Sequence, residues 1–537
     1  MNKSTFLLLV LGLSRSGLAW TKSGSGYATN GSQVDVSAAL GNASAGDTVR
    51  IPAGTFTWGG GRTSIYLDKA VTLQGAGPES TTIVLSESGP TYGTGVIMPS
   101  AAAVVRDFSI QGSSGTVTAF ACYSANGWRI TNIRFDGGTG SGYFLYGGSY
   151  GLIDNCSIKG SNGSAEFVFT RGPTDSWQTP SSMGTADAVY IEDCTYDGQG
   201  YVSDANSNSR MVVRYCTING SNKVDAHGVA SNSPPRSCRH IEVYGNSWTD
   251  TSGYFADLEI RGGTGMLFDN TDRNPQGGWF FLTEYGYLAK WPNFGNIYQT
   301  PANYPVADQI GVGEDPKVGG SEPLYSWNNT RLGAPWARTI RAVDTGAILA
   351  YGQHFSEADV IAPDRDCFWS VASFDGSSGI GRGTKAQMSS IVPTKKGVGF
   401  WVTDEGEWDA THSGPDGQLY AWSGSAWLLK YTPYTYPHPL RGTGSAGLLP
   451  KGGEARSRVG DPIERVERDR LTLRLGAASE VDVALFTLSG RRIGGPVRGS
   501  YPAGTTTVPL GFALPRGSVL VRIVAGADVS VQRAVVE

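Results

Sequence analysis

Seven segments between residues 103 and 274 repeat one pattern of apolar and polar positions. Aligned on one reference column, they place there Phe108, Ile133, Cys156, Cys194, Cys216, Asn246 and Asn270. Three residues earlier every segment has an aliphatic residue: Val105, Ile130, Ile153, Ile191, Val213, Val243 and Leu267. Two residues later stand Ile110, Phe135, Ile158, Tyr196, Ile218 and Trp248, and the last segment breaks the pattern with Asp272. The reference column recurs every 22 to 38 residues, a spacing that indicates a solenoid.

The repeats predict β-strands rather than helices. They are rich in Val, Ile, Tyr, Phe and Thr and are interrupted by Gly, Asn, Asp and Ser. No repeat contains ten residues of helical periodicity. Successive coils are therefore expected to stack as parallel strands about 4.8 Å apart. Ile153, Ile191 and Val213 should then lie directly over one another.

The start of the chain fits the same architecture. A short amphipathic stretch containing Val34, Val36 and Leu40 precedes GDTVRIPAG and VTLQGAG, and a helix there would cover the first coil, whose strand edges are otherwise open. Over residues 30–335 the chain resembles the pectate-lyase-like family of right-handed parallel β-helices. The expected fold is thus all-β: a right-handed parallel β-helix with an N-terminal capping helix, followed by a small antiparallel β-sandwich.

The sequence predicts an exported protein of several parts. Residues 1–19 carry Lys3 and an apolar run from Phe6 to Leu13, as a signal peptide does, and no segment is predicted to span a membrane. The expected parts are the β-helix at 20–335, an aromatic β-rich extension packed on it at 336–440, a linker at 441–461 and a β-sandwich at 462–537.

The C-terminal part carries a second resemblance. The stretch VDVALFTLSGRRIGG, the run LPRGSVLVRIVAG and the ending QRAVVE resemble the sorting domain of the bacterial type IX secretion system. Such tails usually finish on a basic residue, whereas this chain finishes on Glu537. The resemblance implies the secretion machinery or the cell surface as a partner; an ordinary accessory β-domain is the alternative.

Charge and cysteines narrow the function classes. A net charge of -4 offers no basic surface for nucleic acid, and an acidic glycan would need a local basic patch or a bridging cation. Cys156, Cys194 and Cys216 share one column, so their side chains should point the same way and form a buried ladder rather than disulfides.

Four tryptophans stand out in the extension: Trp401, Trp408, Trp422 and Trp427. They could stack on sugar rings, but the pattern favours packing against the side of the solenoid.

The best candidate site spans two coils, in KVDAHGVAS and ADLEIRGG. Strand alternation points Val224, Ala226, Leu258 and Ile260 inward. The same alternation points a set of ionisable residues outward, to the solvent-facing wall: Lys223, Asp225, His227, Asp257, Glu259 and Arg261. If the two strands are in register, these six side chains form one charged patch.

The resemblance implies a chemistry for this patch. Related β-helix lyases use Arg or Lys as the base for β-elimination on a uronate glycan, with calcium bound by acidic residues. The implied catalytic set is His227, Arg261, Lys223 and Asp225, and the implied Ca²⁺ ligands are Asp225, Asp257 and Glu259. Substrate-binding candidates on adjoining coils are Tyr254, Glu284, Tyr285 and His240, with Asp204 nearby.

Three alternatives to a polysaccharide lyase stay open. A glycoside hydrolase would use Asp225 with Asp257 or Glu259 as its carboxylate pair. A non-catalytic surface protein would bind glycan or act as an adhesin through the four tryptophans. Outward charges on a solenoid can also be plain solvated surface with cross-strand ion pairs.

Overall fold

The computed structural model describes residues 19–90, 94–112, 117–137, 143–159, 166–173, 175–228, 236–249, 258–275, 280–285, 308–313, 321–343, 361–442, 463–475, 479–486, 492–510, 513–514, 517–525 and 528–536. The chain divides into two compact units, Met1–Ala446 and Gly447–Glu537. The predicted signal peptide, Tyr254 and Asp257 lie outside the described residues.

The first unit is a parallel β-helix with three faces. Face 1 consists of Gly26–Ala28, Thr48–Arg50, Thr72–Gln74, the first parts of Val104–Gln111 and Asn126–Asp136, and then Tyr150–Asp154, Val189–Glu192, Arg210–Arg214, His240–Tyr244, Thr264–Phe268, Leu324–Trp327 and Cys367–Trp369. The strand Thr21–Ser23 adds antiparallel to Gly26–Ala28.

Faces 2 and 3 complete each coil. Face 2 consists of Gly54–Trp58, Thr81–Leu85, the second parts of Val104–Gln111 and Asn126–Asp136, and then Ser157–Lys159, Thr195–Asp197, Thr217–Ile218, Ser247–Trp248, Thr271–Asp272 and Thr330–Arg331, with Ala334–Pro335 antiparallel to the last. Face 3 consists of Ile65–Leu67, Gly95–Pro99, Thr118–Tyr123, Tyr143–Tyr146, Glu166–Arg171, Gln199–Ala205, Ser221–Ala226, Leu258–Ile260, Phe280–Tyr285 and Arg338–Val343.

The predicted columns are confirmed. Ile153 pairs with Ile191, and Ile191 pairs with Val213, and all three side chains are fully buried in one continuous core. Asp272, the break in the apolar column, is also buried and pairs with Arg331 of the next coil at 2.9 Å between Oδ2 and Nε. The ion pair lets a carboxylate occupy a position that apolar residues fill in the earlier coils.

A residue with left-handed backbone dihedral angles forms the corner between face 1 and face 2. The residue before the reference column has a φ between 51° and 67° in eight coils: Asp107, Asn132, Asn155, Asp193, Tyr215, Gly245, Asp269 and Asn328. Asn, Asp and Gly tolerate this conformation best, which explains why they precede the column. Tyr215 is the exception, and its ring packs on Tyr436 with centroids 4.2 Å apart.

The reference column changes from thiols to amides along the helix. Cys156, Cys194 and Cys216 are free and buried, as predicted. Farther on, Asn246 Nδ2 donates to Asn270 Oδ1 at 3.0 Å, and Asn270 Nδ2 donates to Asn329 Oδ1 at 2.8 Å. Each amide also donates to a backbone carbonyl, so this asparagine ladder satisfies buried polar groups of the corner.

An α-helix, Gln33–Asn42, lies between the first two strands of face 1, Gly26–Ala28 and Thr48–Arg50. Ser32 caps it by accepting from the Asp35 N–H, and Val36, Ala39 and Leu40 are buried in the solenoid core. Val34, which the sequence pattern grouped with the apolar side, is 72% exposed. The apolar stripe is therefore narrower than expected.

The predicted end of the solenoid at residue 335 is wrong. Arg338–Val343 continues face 3, and Cys367–Trp369 continues face 1. Composition shifts toward charge and aromatics before the stacking ends, so it misplaced the boundary.

Four strands follow the last coil and form what we call the aromatic module, residues 380–442. Ile380–Gly383 pairs parallel with Gly399–Val402, and Gln418–Trp422 and Trp427–Tyr431 follow antiparallel. A short helix, Lys385–Ser389, begins at a capping box on Thr384. Trp401 and Trp408 are buried against face 1, with Trp401 4.8 Å from Trp327 between ring centroids. Packing, not exposure to sugar, is confirmed for these two tryptophans, and Trp422 and Trp427 are partly buried.

A fully buried arginine joins the aromatic module to face 1. Arg214 pairs with Glu192 of the neighbouring coil at 2.8 Å and donates to the carbonyls of Tyr434 and Thr435 at 2.7 and 2.9 Å. Arg441, which the sequence assigned to the linker, lies in the 3-10 helix Pro439–Gly442 and reaches Glu192 at 2.6 Å. The linker assignment of Arg441 and Gly442 is thus wrong, because both belong to this docked segment.

The second unit has two antiparallel sheets. One contains Ile463–Val466, Arg470–Leu475 and Gly504–Pro509, and the other contains Ser479–Phe486, Arg492–Tyr501, Gly517–Ala525 and Asp528–Val536. Leu471 and Leu473 of the first sheet share one apolar core with Val481 and Val521 of the second. Within the described parts of the chain, no helix has the length and apolarity to span a membrane.

Replacing Asn270 tests the asparagine ladder. We expect Asn270→Ala to lower the free energy of unfolding by about 3 kcal/mol, because neighbouring amide and carbonyl groups lose partners in the dry interior. Urea unfolding followed by circular dichroism measures the loss. Asn126→Ala, at an exposed asparagine, is the control and should change stability by less than about 1 kcal/mol; equal effects would contradict a structural ladder.

The contact between face 1 and the aromatic module predicts that stability depends on pH. Glu242 of face 1 accepts from the Tyr431 hydroxyl at 2.5 Å and from the Gly184 N–H at 2.8 Å. Burial raises the pKa of Glu242 to about 7, above its unfolded value, so its contribution to stability is complete at acidic pH and is lost as pH rises toward and through 7. The stability difference between Glu242→Gln and the parent should therefore move in favour of the variant between pH 5 and pH 8.

The difference in unfolding free energy between the variant and the parent is the quantity to compare, because the buried His438 gives stability a pH dependence of the opposite sign. Burial lowers the pKa of His438 to about 3, so its contribution is lost as pH falls below the unfolded value. Chemical denaturation of both proteins across this pH range cancels that contribution. A pH-independent difference would contradict the raised pKa of Glu242.

Candidate functional site

Three carboxylates stack on consecutive strands of face 3. Asp204 pairs with Asp225, and Asp225 pairs with Glu259. The residues flanking Asp225 and Glu259 point inward as predicted: Val224, Ala226, Leu258 and Ile260 are all in the solenoid core. The carboxylates therefore occupy the opposite side of the sheet, one strand spacing apart.

Two cations hold this acidic ladder together. Arg261 binds Asp225 through Nε, at 3.1 Å from Oδ1, and through a second, shorter contact from Nη2 to Oδ2. Lys223 Nζ lies 2.6 Å from Glu259 Oε2 and 3.6 Å from Asp225 Oδ2. Lys223 also lies 4.5 Å from the ring centroid of Tyr201. The structure thus brings the five described members of the predicted patch, Lys223, Asp225, His227, Glu259 and Arg261, into one charged cluster.

The expectation of a solvent-exposed patch is wrong. Asp225 is 0% exposed, and Asp204, Lys223 and Glu259 are also buried. His227 and Arg261 keep the most exposed side chains of the cluster, at 23% and 12%. Strand alternation correctly gave the side of the sheet, but it carries no information on what lies over that side.

His227 lies between two groups that require different protonation states of its Nδ1. Nδ1 lies 2.7 Å from Arg261 Nη2 and 3.3 Å from Asp204 Oδ1. The guanidinium can only donate and so requires a lone pair on Nδ1, whereas an ionised Asp204 accepts and requires a proton there. Both interactions cannot form at once with one nitrogen. The position of the imidazole proton therefore depends on where Arg261 directs its N–H groups.

The two neighbouring aspartates are perturbed in opposite directions. Burial raises the pKa of Asp225, with a further contribution from the nearby charge of Asp204, and this outweighs Arg261 and Lys223. Burial also acts to raise the pKa of Asp204, but the hydrogen bond and charge of His227, with the charge of Arg261, lower it overall. Two neighbouring carboxyl groups whose pKa values are shifted in opposite directions are typical of catalytic sites.

The cluster does not fit the predicted calcium site. Asp225 and Glu259, two of the three predicted ligands, are paired with Arg261 and Lys223, and the third, Asp257, lies outside the described residues. Asp204, Asp225 and His227 could offer one ligand atom each within 4.8 Å of one another. That set contains an imidazole, which calcium disfavours, and Arg261 already contacts two of its members.

The other described residues predicted for the site lie on two different faces. His240 lies on face 1, fully buried, with Nε2 3.8 Å from Glu242 Oε1. Its assignment to substrate binding at this site is wrong, since face 1 and face 3 are different sheets. Glu284 and Tyr285 end the strand Phe280–Tyr285 of face 3, and the side chains of both lie outside what the structure describes.

Asp204 is the residue whose importance sequence reasoning underrated. A β-bulge between Tyr201 and Ser203 shifts the register, so counting along YVSDAN does not align Asp204 with Asp225. The signal that could have found it is the DA dipeptide common to both strands, Asp204-Ala205 and Asp225-Ala226.

Comparison with known proteins supports the fold. A family profile described as the right handed beta helix region matches residues 92–280. Among solved structures, the catalytic domain of a GH87 alpha-1,3-glucanase in complex with nigerose is 13% identical, over 63% of this chain and 66% of that domain, with a TM-score of 0.26. The A-module of the Azotobacter vinelandii mannuronan C-5 epimerase AlgE4 is 12% identical, over 46% of this chain and 92% of that module, with a TM-score of 0.22. No curated protein matches the chain.

Removing one carboxylate tests the balance of charge. We expect Asp204→Asn to lower the free energy of unfolding by about 2 kcal/mol at neutral pH, because the lowered pKa of Asp204 means that the folded state favours its ionised form, held by His227 and Arg261. Urea unfolding measures the effect, with Asp68→Asn as the control at an exposed aspartate. If both variants unfold at the parent's urea concentration, the cluster is not a cooperating ionic network.

Proposed function

We propose that this chain is a polysaccharide lyase that acts on a uronate-containing glycan by β-elimination, with His227 as the base. The observation that carries the proposal is the position of His227: it is the most accessible member of a buried ionic cluster and lies between Asp204 and Arg261. Elimination requires a group that removes the C5 proton and a cation that neutralises the adjacent carboxylate.

Arg261 supplies the cation. Asp225 holds its guanidinium by two contacts, which keep it next to His227. When a uronate carboxylate approaches, the guanidinium directs N–H groups to it, and the interaction with His227 Nδ1 weakens. Nδ1 can then carry a proton, exchanged through solvent, and donate it to Asp204. The Nε2 lone pair of His227 is thereby free to act as a base.

The bond changes follow from this arrangement. His227 removes the C5 proton, the C5–H electron pair forms the C4–C5 double bond, and the bond from C4 to the glycosidic oxygen breaks. The imidazolium, stabilised by Asp204, returns the proton to the departing oxygen. Lys223 and Glu259 act as positioning residues, since Lys223 binds both Glu259 and Asp225 beside the reacting groups.

A glycoside hydrolase is the second candidate. The opposite pKa shifts of Asp225 and Asp204 suit an acid and a nucleophile, and their close approach suits a retaining mechanism. We rank it second because Asp225 is fully buried and bound by Arg261. The non-catalytic glycan-binding alternative loses its support from Trp401 and Trp408, since both pack against face 1.

Substitution of His227 tests the proposal. Incubation with a panel of uronate polymers should release unsaturated oligosaccharides, detected by the ultraviolet absorbance of the C4–C5 double bond. We expect His227→Gln to reduce the rate about 10²- to 10⁴-fold, the usual contribution of a general base. His412→Gln, at a histidine with a 54% exposed side chain in the aromatic module, is the matched control and should leave the rate unchanged.

The product distinguishes the candidates. Saturated reducing ends without a double bond would favour the hydrolase and overturn the lyase. A parent-like rate in His227→Gln would remove His227 from the mechanism. Addition of a chelator should leave turnover unchanged, because Arg261 provides the positive charge.

A further inference from the structure

A pocket opens at the end of the solenoid. It has a volume of about 560 Å³, and its lining includes Trp327, Trp336, Arg338, Phe374 and Arg382. Arg338 begins the last strand of face 3, and Trp327 ends the next-to-last strand of face 1. The pocket is therefore separate in the fold from the charged cluster, which lies on earlier strands of face 3.

Arg338 takes a position that apolar residues occupy in the preceding coils. It pairs with Phe280, Phe280 pairs with Leu258, and Leu258 pairs with Val224, and these three residues belong to the core. The guanidinium lies 4.3 Å from the ring centroid of Trp369. Burial lowers the pKa of Arg338 to about 10. Across the described parts of the chain, no carboxylate forms an ion pair with this arginine.

Trp327 supplies an independent observation. It lines the pocket and is only 3% exposed, and its indole Nε1 has no hydrogen-bond acceptor among the described residues. A buried N–H without an acceptor costs free energy unless a ligand or water satisfies it. Among the described residues, the pocket thus contains an arginine without an ion-pair partner, an indole N–H without an acceptor and several aromatic rings.

We propose that this pocket is a second glycan site that binds a carboxylate-bearing sugar residue. Arg338 and Arg382 recognise the carboxylate, the ring of Phe374 packs on the apolar face of the sugar, and Trp327 donates to an oxygen of the ring. The choice of an acidic sugar rests on the proposed lyase function. The volume and aromatic lining favour a sugar over a small inorganic anion, which would satisfy the charge alone.

Calorimetric titration tests this site on the full chain carrying His227→Gln, so that turnover does not consume the ligand. The probes are trigalacturonate, the same trisaccharide with its carboxyl groups reduced to alcohols, and inorganic phosphate. We expect Arg338→Gln to weaken the binding of trigalacturonate about 10- to 100-fold, as the loss of a charge-assisted hydrogen bond does. Lys395→Gln, at an exposed lysine outside the pocket, is the matched control.

Each outcome has a distinct meaning. Tight binding of phosphate with the same dependence on Arg338 would replace the sugar site by a simple anion site and overturn the proposal. Equal binding of the reduced trisaccharide would also overturn it, since the carboxylate would then have no role. Retained affinity in Arg338→Gln, together with loss in Arg261→Gln, would assign all binding to the charged cluster. Failure of turnover on every polymer, with binding still dependent on Arg338, would overturn the lyase but not the second site.

Discussion

The stacking register of the coils is the constraint on which the other features depend. It is maintained at one corner by a residue in the left-handed region, followed at once by a residue that points into the core. A slip of one position would reverse inside and outside along a whole strand. Because the register holds, Asp204, Asp225 and Glu259 become immediate neighbours although each lies in a different coil. The charged cluster thus depends on the stacking register together with the β-bulge beside Tyr201, which aligns Asp204 with Asp225.

The outer walls of the solenoid are used in different ways. Face 1 is covered by the aromatic module, and Arg214 compensates the buried charge of Glu192 while binding carbonyls of the module. Face 3 carries the charged cluster, which contains three carboxyl groups, two cations and His227. Burying charge on both walls is costly without close pairing. The same pairing that makes this burial tolerable at face 3 also holds Arg261 and His227 in fixed positions.

Features that recur from coil to coil could be predicted from the sequence, and features found in a single coil could not. The aliphatic column and the inward positions of Val224 and Ala226 follow from a period that any coil displays. The β-bulge beside Tyr201 occurs in one coil only, and it hid the alignment of Asp204 with Asp225. The contact from Arg214 to Tyr434 joins residues 220 positions apart, so no local pattern could predict it. His240 resembled a ligand because a histidine in a strand does not reveal which of three sheets the strand will join.

The three stacked cysteines have a consequence for how this protein can mature. Burial raises the pKa of Cys156 and Cys194 well above the usual range, so neither thiol is nucleophilic at neutral pH. All six cysteines are free and buried, so the coils close without a disulfide and do not depend on an oxidising compartment.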